Sequence, residues 1–523
     1  MPFIMCFGYC GQVGEREEKK DAGVNKDMKI LFINYGRENL GIEYLSSVAK
    51  GKNYDVYLAN DTGIFSKEDN VLYSPFLKTI FSREQKILES VERINPDVVG
   101  FSVYTTTYGW AVSMAKQIKK KKDVHIIFGG IHATLVPEYL LKETAIDYVV
   151  LGEAEDAFIE LIQALEQGQS ARKIANVWGR ENNNVFRNDM RAPADINALP
   201  FPDKLLFKKE LRIEDDYVLM ASRGCPYNCS YCCESYLNKI YKGKYFRRRS
   251  VSSVMQELKT MKSIFSFKRV MFFDSILFTD KKWLVELLAE YKKEIRVPFR
   301  CTGHVNFLDE DIAKALKDAG CYSIDFGLQT FSQGIRMEVL NRVEDNAKVE
   351  NAFKLCDKIR IRYDVDLMFG VPGMTQDDYK LPMRFLQDSR YLNRIKCYYL
   401  SYFPRLPIID KAKGSGLLNE AEIDRINAGE IGDWFHVDSI KDRQHKILKV
   451  NFERLYKIYP LLPRSLKKCI MKYELHHFLR FVPGFLILGF QLLIGFLHSD
   501  YRFLIYIRNY LYNFKKLLNR RIS

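Results

Sequence analysis

The stretch that decides the fold of this chain is Ser222-Arg223-Gly224-Cys225-Pro226-Tyr227-Asn228-Cys229-Ser230-Tyr231-Cys232. Cys225, Cys229 and Cys232 have the spacing C-x3-C-x2-C, and so short a loop is able to wrap one iron–sulfur cube with three thiolates. Three protein ligands leave one iron of a 4Fe–4S cluster open for another molecule. Zinc is disfavoured, because a structural zinc site needs a fourth ligand and the obvious candidate is only the adjacent Cys233. Buried structural cysteines are the remaining alternative.

Apolar strands alternate with amphipathic helices after the cysteine loop. The loop follows the first of six predicted strands, which are Tyr217–Ala221, Arg269–Phe273, Phe299–Thr302, Tyr322–Gly327, Tyr363–Phe369 and Lys396–Ser401. Six βα units predict an incomplete barrel of the TIM type. In such barrels the chemistry lies at the C-terminal ends of the strands.

A second βα series precedes the barrel. The predicted strands are Lys29–Ile33, Tyr54–Leu58, Asp97–Val103, Val124–Phe128 and Tyr148–Leu151, and the helices are Leu40–Lys50, Tyr108–Lys120, Pro137–Glu143 and Glu155–Gln167. This alternation predicts a parallel doubly wound sheet, which binds ligands at the carboxyl ends of its strands. Gly129, Gly130 and Gly152 follow strand ends, where the backbone approaches a ligand closely or simply turns. Asn176–Arg187 predicts a hairpin, and Asp195–Leu206 predicts a linker.

The cysteine loop resembles that of the radical SAM superfamily, which carries C-x3-C-x-aromatic-C after the first strand of a partial (β/α)6 barrel. The resemblance implies a 4Fe–4S cluster whose open iron binds the amino and carboxylate groups of S-adenosylmethionine (SAM). One electron then cleaves SAM to a 5′-deoxyadenosyl radical. The resemblance also implies four cofactor-binding residues: Tyr231 near the adenine, Gln329 near the ribose and methionine, and Gly370 and Pro372 in a turn after the fifth strand.

Other polar residues of the predicted barrel have open interpretations. Arg342 lies where family members often carry an arginine, but a solvated helix charge is the alternative. Asp274 either faces the pocket or caps the next helix. His304 and Cys301, at the end of the third strand, either line a substrate pocket or belong to ordinary packing.

Residues 28–168 resemble the cobalamin-binding domain of the subfamily that couples cobalamin to SAM. The matching runs are Asn39–Leu45, Gly100–Thr105, Gly129–Thr134 and Leu151–Glu155. The resemblance implies cobalamin binding at strand ends by Ser102, Thr105, Gly129, Gly130 and Gly152. The D-x-H-x-x-G signature is missing, so we expect no histidine on cobalt, and His132 is interpreted as a loop histidine bonded to the backbone. A flavodoxin-like module with another ligand or none is the alternative.

Charge and apolar character are concentrated near the C-terminal end. The 523 residues are 47% hydrophobic and 28% charged, which excludes a disordered or fibrous chain. Ser439–Ser523 contains 17 Lys and Arg against 4 Asp and Glu, and thus carries most of the net charge of +15. Within it, Phe481–Leu497 has no charge. This segment is a helix buried on the barrel, an interfacial or re-entrant membrane segment, or a membrane span. The pattern favours a membrane surface over a nucleic acid as partner.

The predicted fold class is therefore α/β, in four parts. These are a disordered leader (1–27), a Rossmann-like cobalamin-binding domain (28–195), a radical SAM barrel (196–410) and a basic helical region (411–523) with a hydrophobic segment (481–497). Eleven cysteines are too sparse for a disulfide scaffold and predict a reducing, cytoplasmic location, with membrane association through the C-terminal region as an addition.

These features predict an enzyme that modifies an unactivated carbon of a hydrophobic, small-molecule or lipid-like substrate, most simply by methylation. The expected cofactors are a 4Fe–4S cluster, SAM and cobalamin, with an electron donor such as flavodoxin or ferredoxin. Ring closure or another C–C bond formation is the alternative within the same chemistry. A non-catalytic cofactor-binding sensor is the alternative outside it. Methylthiolation of tRNA or of a ribosomal protein would require a cysteine-bearing front domain and a small basic β-domain, and neither is recognisable.

Overall fold

Two open β-sheets, consecutive in sequence, organise the structure, which is a computed structural model. It describes residues 28–66, 73–182, 184–430, 443–498, 500 and 502–518. The predicted leader, residues 1–27, lies outside the described residues.

The first sheet has the strand order β2-β1-β3-β4-β5-β6-β7. Its strands are β1 (Lys29–Tyr35), β2 (Asp55–Asp61), β3 (Val98–Ser102), β4 (His125–Gly129), β5 (Tyr148–Val150), β6 (Val177–Glu181) and β7 (Asn184–Phe186). Strands β1 to β5 are parallel, and β6 and β7 form the predicted antiparallel hairpin. Because the strand order reverses at β1, a ligand crevice is expected at the C-terminal ends of β1 and β3.

Helices cover both faces of the first sheet. They are α1 (Leu40–Lys50), α2 (Pro75–Phe81), α3 (Glu84–Ile94), α4 (Thr105–Lys121), α5 (Ile131–Leu135), α6 (Pro137–Leu140) and α7 (Glu155–Glu166). Helix α1 has the predicted bounds because the Asn39 side chain accepts a hydrogen bond from the Ile42 amide and thus caps its first turn.

The second sheet contains six parallel strands in the order β15-β14-β13-β12-β11-β8. They are β8 (Tyr217–Leu219), β11 (Val270–Phe272), β12 (Phe299–Gly303), β13 (Cys321–Gln329), β14 (Arg362–Phe369) and β15 (Leu392–Tyr399), and the short strands β9 (Ser222–Arg223) and β10 (Arg247–Arg248) pair separately. The sheet stays open between β8 and β15, as an incomplete barrel requires. Strand β15 begins at Leu392, four residues before the predicted strand, because the polar residues Asn393 and Arg394 interrupt the apolar pattern there.

The helices of the barrel lie outside the second sheet. They are α8 (Lys204–Lys208), α9 (Cys233–Ile240), α10 (Val251–Phe265), α11 (Lys281–Glu294), α12 (Glu310–Asp318), α13 (Asn346–Ile359) and α14 (Gln376–Phe385). Strand residues that face these helices, such as Leu219, Phe272 and Ile324, are fully buried. The alternate residues point into the barrel lumen.

Ion pairs fix the orientation of the two sheets. Lys204 of α8 is buried and lies 2.5 Å from a Glu38 carboxylate oxygen and 2.9 Å from one of Glu43. Beyond the C-terminal ends of β5 and β8, Arg223 lies 2.5 Å from Glu155. The predicted linker therefore packs against α1 over its last residues.

Helices form the C-terminal region. They are α15 (Pro407–Gly414), α16 (Glu420–Asn427), α17 (Arg443–Ile458), α18 (Arg464–Lys472), α19 (Gly484–Leu497) and α20 (Arg502–Leu518). Helix α20 reaches the first domain, because the Phe514 ring lies 4.9 Å from that of Phe81. No single described helix is long and apolar enough to cross a bilayer, whereas Leu475–Phe481 and α19, bent by 112°, together have the required length and composition.

The predicted fold class is confirmed: a doubly wound sheet, a partial barrel and a helical C-terminal region follow one another. The domain boundaries at residues 195 and 410 stay predictions.

Candidate active site

The cysteine loop lies at the C-terminal end of the first barrel strand. The Asn238 side chain donates a hydrogen bond to the Cys225 carbonyl (2.9 Å), and the Cys232 amide donates to the Cys229 carbonyl (3.1 Å). Asp274 is buried and accepts hydrogen bonds from the Ala221 amide and the Ser222 hydroxyl. Asp274 therefore neither lines a described cavity nor caps a helix, but holds the start of the loop.

The three thiols of this loop suit a multi-iron cluster. All are partly buried; burial raises the pKa of Cys225 to about 12, whereas a hydrogen bond from Cys233 lowers the pKa of Cys232. Among the described residues, no three His, Cys, Asp or Glu side chains converge on a site for a single metal ion. Three thiols spread along one loop fit the ligand set of an iron–sulfur cluster better than that of a zinc ion.

Buried polar side chains surround the loop. Arg342 is not the solvated charge of one interpretation: its Nη1 lies 3.7 Å from Cys229 Sγ and 3.1 Å from the Tyr231 hydroxyl. Its Nε donates to Glu344 (2.5 Å), which the sequence did not single out. Burial alone raises the pKa of Glu344. The interactions with His304 and Arg342 have a larger, opposite effect and hold this pKa at about 2.

A smaller cavity of about 320 Å³ lies at the C-terminal ends of the first sheet. Four predicted cobalamin-binding residues line it: Ser102, Gly129, Gly130 and Gly152. Gly130 and Gly152 have positive φ angles of 92° and 62°. A Cβ atom at Gly130 would lie 2.7 Å from the Val103 nitrogen, and one at Gly152 would lie 2.2 Å from the Tyr241 hydroxyl.

The apolar interior of this cavity extends between the sheet and α1 and α7. Phe32, Ile127, Val150 and Phe158 line it, and the barrel residues Met220 and Phe273 close its other side. The glycines permit the close backbone packing around the mouth of this cavity, and its apolar interior fits the aromatic tail of a cofactor. The residues present therefore fit cobalamin.

Thr105, the fifth predicted cobalamin-binding residue, faces away from this cavity. Its hydroxyl is buried and lies 3.1 Å from His132 Nδ1. The His132 ring packs on Tyr108 at 4.5 Å, and burial lowers the pKa of His132 to about 4. His132 thus lies on α5 and not in a loop, and its ring bonds the Thr105 side chain and not the backbone, as a neutral group in the interior.

A larger cavity of about 1160 Å³ fills the barrel lumen. Residues from three parts of the chain line it. They include Arg37, Leu40 and Tyr104 of the first domain, Met220, Met271, Phe273 and Tyr398 of the barrel, and Leu488, Gln491, Ile494, Ile505 and Tyr506 of the C-terminal helices. Met220 and Phe273 border both cavities, so the two spaces adjoin.

Charged residues form the floor of the larger cavity. Lys396 Nζ lies 3.1 Å from Asp325, 3.4 Å from Asp364 and 3.3 Å from Asp366. Arg502 of α20 enters the same network, 2.5 Å from Asp364. Burial raises the pKa of Asp366 to about 6. Other charged side chains, among them Arg37, Arg300 and Lys449, line this cavity beside the apolar ones, so it suits a substrate that has a polar part as well as an apolar one.

The residues predicted to bind SAM lie at strand ends of the barrel. Gln329 ends β13 with a φ of 71°, and Gly370 follows β14 with the same φ. A Cβ at Gly370 would lie 2.2 Å from the Tyr399 ring, and Pro372 follows in the turn. Tyr231, the fourth of these residues, lies within the cysteine loop and contacts Arg342. None of these four lines either cavity among the described residues.

The interpretations of Cys301 and His304 as pocket residues find no support. Cys301 is buried within β12. His304 is buried too and stacks on Tyr227 at 4.5 Å. The His304 ring therefore supports the cysteine loop by packing against Tyr227.

Two protein families match this chain. Residues 33–162 match the family described as B12 binding domain, and residues 219–386 match the radical SAM superfamily. Together the matches cover more than half of the 523 residues. They agree with the two sheets and with both resemblances.

Three curated relatives extend over both domains. An uncharacterized methyltransferase of Pyrococcus horikoshii is 28% identical over 66% of this chain and 72% of its own length. The bacteriochlorophyllide d C-8(2)-methyltransferase of Chlorobaculum tepidum is 24% identical over 71% of this chain and 80% of its own length. The anaerobic magnesium-protoporphyrin IX monomethyl ester cyclase of Rubrivivax gelatinosus is 22% identical over 69% of this chain and 66% of its own length.

Two solved structures share the fold. TsrM from Kitasatospora setae, a radical SAM methyltransferase solved with cobalamin and a [4Fe-4S] cluster, has a TM-score of 0.59 and 18% identity, and the match covers 74% of this chain and 78% of TsrM. OxsB, a cobalamin-dependent SAM radical enzyme, has a TM-score of 0.64 and 14% identity over 87% of this chain and 72% of OxsB. At these identities the likeness shows the fold.

The matched families imply the three predicted cofactors, which are a 4Fe–4S cluster, SAM and cobalamin. The thiols of the cysteine loop fit the first, and the glycine-lined cavity fits the last. The chain belongs to the radical SAM superfamily of enzymes, as a member that also carries a B12-binding domain.

Proposed function

We propose that this enzyme replaces a hydrogen atom on an unactivated carbon of a small hydrophobic substrate with a methyl group. The larger cavity is the observation that carries the proposal, because it extends from the strand ends of both sheets to α19 and α20. Met220 and Phe273 border both cavities, so a substrate carbon in the larger one adjoins the pocket assigned to cobalamin. The methyltransferase names of two relatives support this reaction.

The residues of the chain bind, orient and shield the cofactors in this proposal. When bound, the cluster and SAM supply a hydrogen-abstracting radical, and methylcobalamin supplies the methyl group. The assigned residues are Cys225, Cys229 and Cys232 for the cluster, Tyr231, Gln329, Gly370 and Pro372 for SAM, and Ser102, Gly129, Gly130 and Gly152 for cobalamin. An electron donor such as flavodoxin or ferredoxin completes the system.

Radical cyclisation is the second candidate, because the relative from Rubrivivax gelatinosus is named as a cyclase. Methylation and cyclisation differ in their mass balance. Methylation adds one CH2 unit to the substrate, whereas ring closure through a new C–C bond removes two hydrogens.

We expect the reconstituted enzyme to form 5′-deoxyadenosine and a methylated product from a membrane-lipid extract under anaerobic conditions. The assay contains SAM, methylcobalamin and titanium(III) citrate, and high-resolution mass spectrometry detects the gain of CH2 or the loss of two hydrogens. Omission of cobalamin is the control and should abolish the methylated product only. Loss of two hydrogens would establish cyclisation instead, and absence of SAM cleavage would favour a non-catalytic sensor.

We also propose that the cytoplasmic enzyme takes a lipid-like substrate from a membrane surface. Helix α19 has two apolar faces: Leu488 and Ile494 line the cavity, whereas Phe485 and Phe496 are 72% and 83% exposed on the opposite side. Exposed cations flank this helix, including Lys472, Arg480 and Lys515. An apolar face beside Lys and Arg suits anionic lipid, and α19 would separate the bilayer from the cavity.

Full-length protein is therefore expected to float with anionic liposomes at low salt. Two exposed phenylalanine rings contribute enough apolar area for the double variant Phe485→Ser, Phe496→Ser to weaken binding at least tenfold. Ile264→Ser, on an exposed face of α10, is the matched control and should bind normally. Failure of the full-length protein to float, or concentration-dependent self-association through these residues, would refute the membrane proposal.

A further inference from the structure

A chain of buried contacts links two residues of the cysteine loop. Starting at Tyr227, the His304 ring stacks on the tyrosine at 4.5 Å, and His304 Nε2 lies 3.4 Å from Glu344 Oε2. Glu344 Oε1 accepts the hydrogen bond from Arg342 Nε at 2.5 Å. Arg342 Nη1 then reaches Cys229 Sγ at 3.7 Å, which closes the chain on the loop.

Glu344 is the centre of this chain. Its side chain has no exposed surface, and each carboxylate oxygen faces a different partner. The Asn306 amide donates to His304 Nδ1, so a neutral ring carries its proton on Nε2, which lies 3.4 Å from Glu344 Oε2 without a hydrogen bond between them. The carboxylate thus holds the guanidinium through a hydrogen bond to Oε1, while Oε2 lies against the imidazole.

The backbone of this segment is held independently of the Glu344 side chain. Arg336 is buried, and its Nε donates to the Glu344 carbonyl at 3.2 Å while its own carbonyl accepts from the Arg342 amide at 2.8 Å. Changing the Glu344 side chain therefore frees the Arg342 guanidinium without removing the support of the backbone.

We propose that Glu344 is a positioning residue that holds the Arg342 guanidinium against the Cys229 sulfur and thereby raises the reduction potential of the iron–sulfur cluster. The inference rests on the proposed ligation of the cluster by Cys229. Reduction adds one electron from a low-potential one-electron donor, with no bond made or broken. A guanidinium that donates to a ligand sulfur favours the reduced, more negative state.

The sign of the effect separates positioning from simple electrostatics. Glu344 itself is negative, and removal of a bystander carboxylate near a cluster would make reduction easier. If Glu344 instead acts through Arg342, its removal makes reduction harder, because the guanidinium leaves the sulfur.

The test is an anaerobic spectroelectrochemical titration of the reconstituted full-length enzyme at pH 8, with iron content measured for every variant. We expect Glu344→Gln to lower the equilibrium constant of one-electron reduction at least tenfold, which is about 59 mV for such a couple. Arg342→Gln should lower it as much or more, and the double variant no further than Arg342→Gln alone. The electron paramagnetic resonance signal of the reduced cluster should change in both single variants.

Glu234→Gln is the matched control. Glu234 is a half-buried carboxylate beside the same loop, 3.5 Å from the Ser275 hydroxyl, and the described contacts do not connect it to Arg342. Its removal should make reduction easier. If Glu344→Gln does not retain iron, Glu344→Asp takes its place, because aspartate keeps the negative charge on a shorter side chain that does not reach Arg342. If Glu344 is a positioning residue, the reduction potential of the cluster should be lower in this variant too.

An unchanged or higher potential in Glu344→Gln or Glu344→Asp with full iron content would overturn the proposal, as would a further fall in the double variant. Full iron content in Cys229→Ala would instead refute the ligation itself. The two failures are therefore distinguishable.

Discussion

Alanine at Cys225, Cys229 or Cys232 is expected to abolish both iron binding and 5′-deoxyadenosine formation. Each substitution removes one of three thiolates, and the cluster would keep only two protein ligands on this loop. Cys301, Cys321 and Cys356 are fixed in the buried core and cannot reach the loop as substitutes. Iron and sulfide quantification after anaerobic reconstitution, together with chromatography of SAM cleavage products, measures both effects.

Cys233→Ala is the matched control, because Cys233 is adjacent in sequence and also partly buried. It should retain the cluster and SAM cleavage. An intact, active cluster in any of the first three variants would contradict the assignment. Loss of the cluster in Cys233→Ala would show that the fourth cysteine takes part.

Arg502→Met is expected to lower the free energy of unfolding by about 3–5 kcal/mol, the usual cost of removing one partner of a buried ion pair. The Arg502 guanidinium lies 2.5 Å from Asp364 and 2.7 Å from Asp500, and both carboxylates are at most 2% exposed. Burial opposes ionisation of Asp500, but Arg502 outweighs it and lowers the pKa of Asp500. Without the guanidinium, Asp364 keeps Lys396 and Asp500 keeps Arg394 as cationic partners, but the buried negative charge of the two carboxylates is less well compensated.

Urea denaturation followed by circular dichroism measures this loss. Arg508→Ala is the matched control on the same helix: Arg508 is 44% exposed and lies 3.1 Å from Asp215, so its removal should cost less than about 1 kcal/mol. Addition of Asp364→Asn to Arg502→Met should recover part of the stability. Equal midpoints for Arg502→Met and the unmodified protein would mean that α20 does not stabilise the barrel.

Local patterns predicted most of the fold. Helix α1 has the bounds expected from its capping residue Asn39 and its apolar period, and the six barrel strands appear in order. These signals are local because periodicity and caps involve residues within a few positions of one another. The cysteine loop was recognisable for the same reason.

Local sequence patterns could not predict contacts between residues that lie far apart in the sequence. Arg342 and Glu344 gain their roles from burial beside a loop more than one hundred residues earlier, and no local pattern marks Glu344. Thr105 was expected to face a cofactor, but its hydroxyl contacts His132. The apolar segment 481–497 was weighed as a buried helix, an interfacial segment or a span, whereas α19 lines the cavity with one face and leaves the other exposed.

The open edge of the barrel between β8 and β15 has a consequence for synthesis on the ribosome. The walls of the larger cavity come from residues between Arg37 and Asn509, and α20 supplies the last of them. Domains tend to fold from the N-terminus as the chain emerges. The first sheet and the cysteine loop are therefore available to fold hundreds of codons before α20 is translated, and the walls of the larger cavity are complete only after Asn509 has been translated.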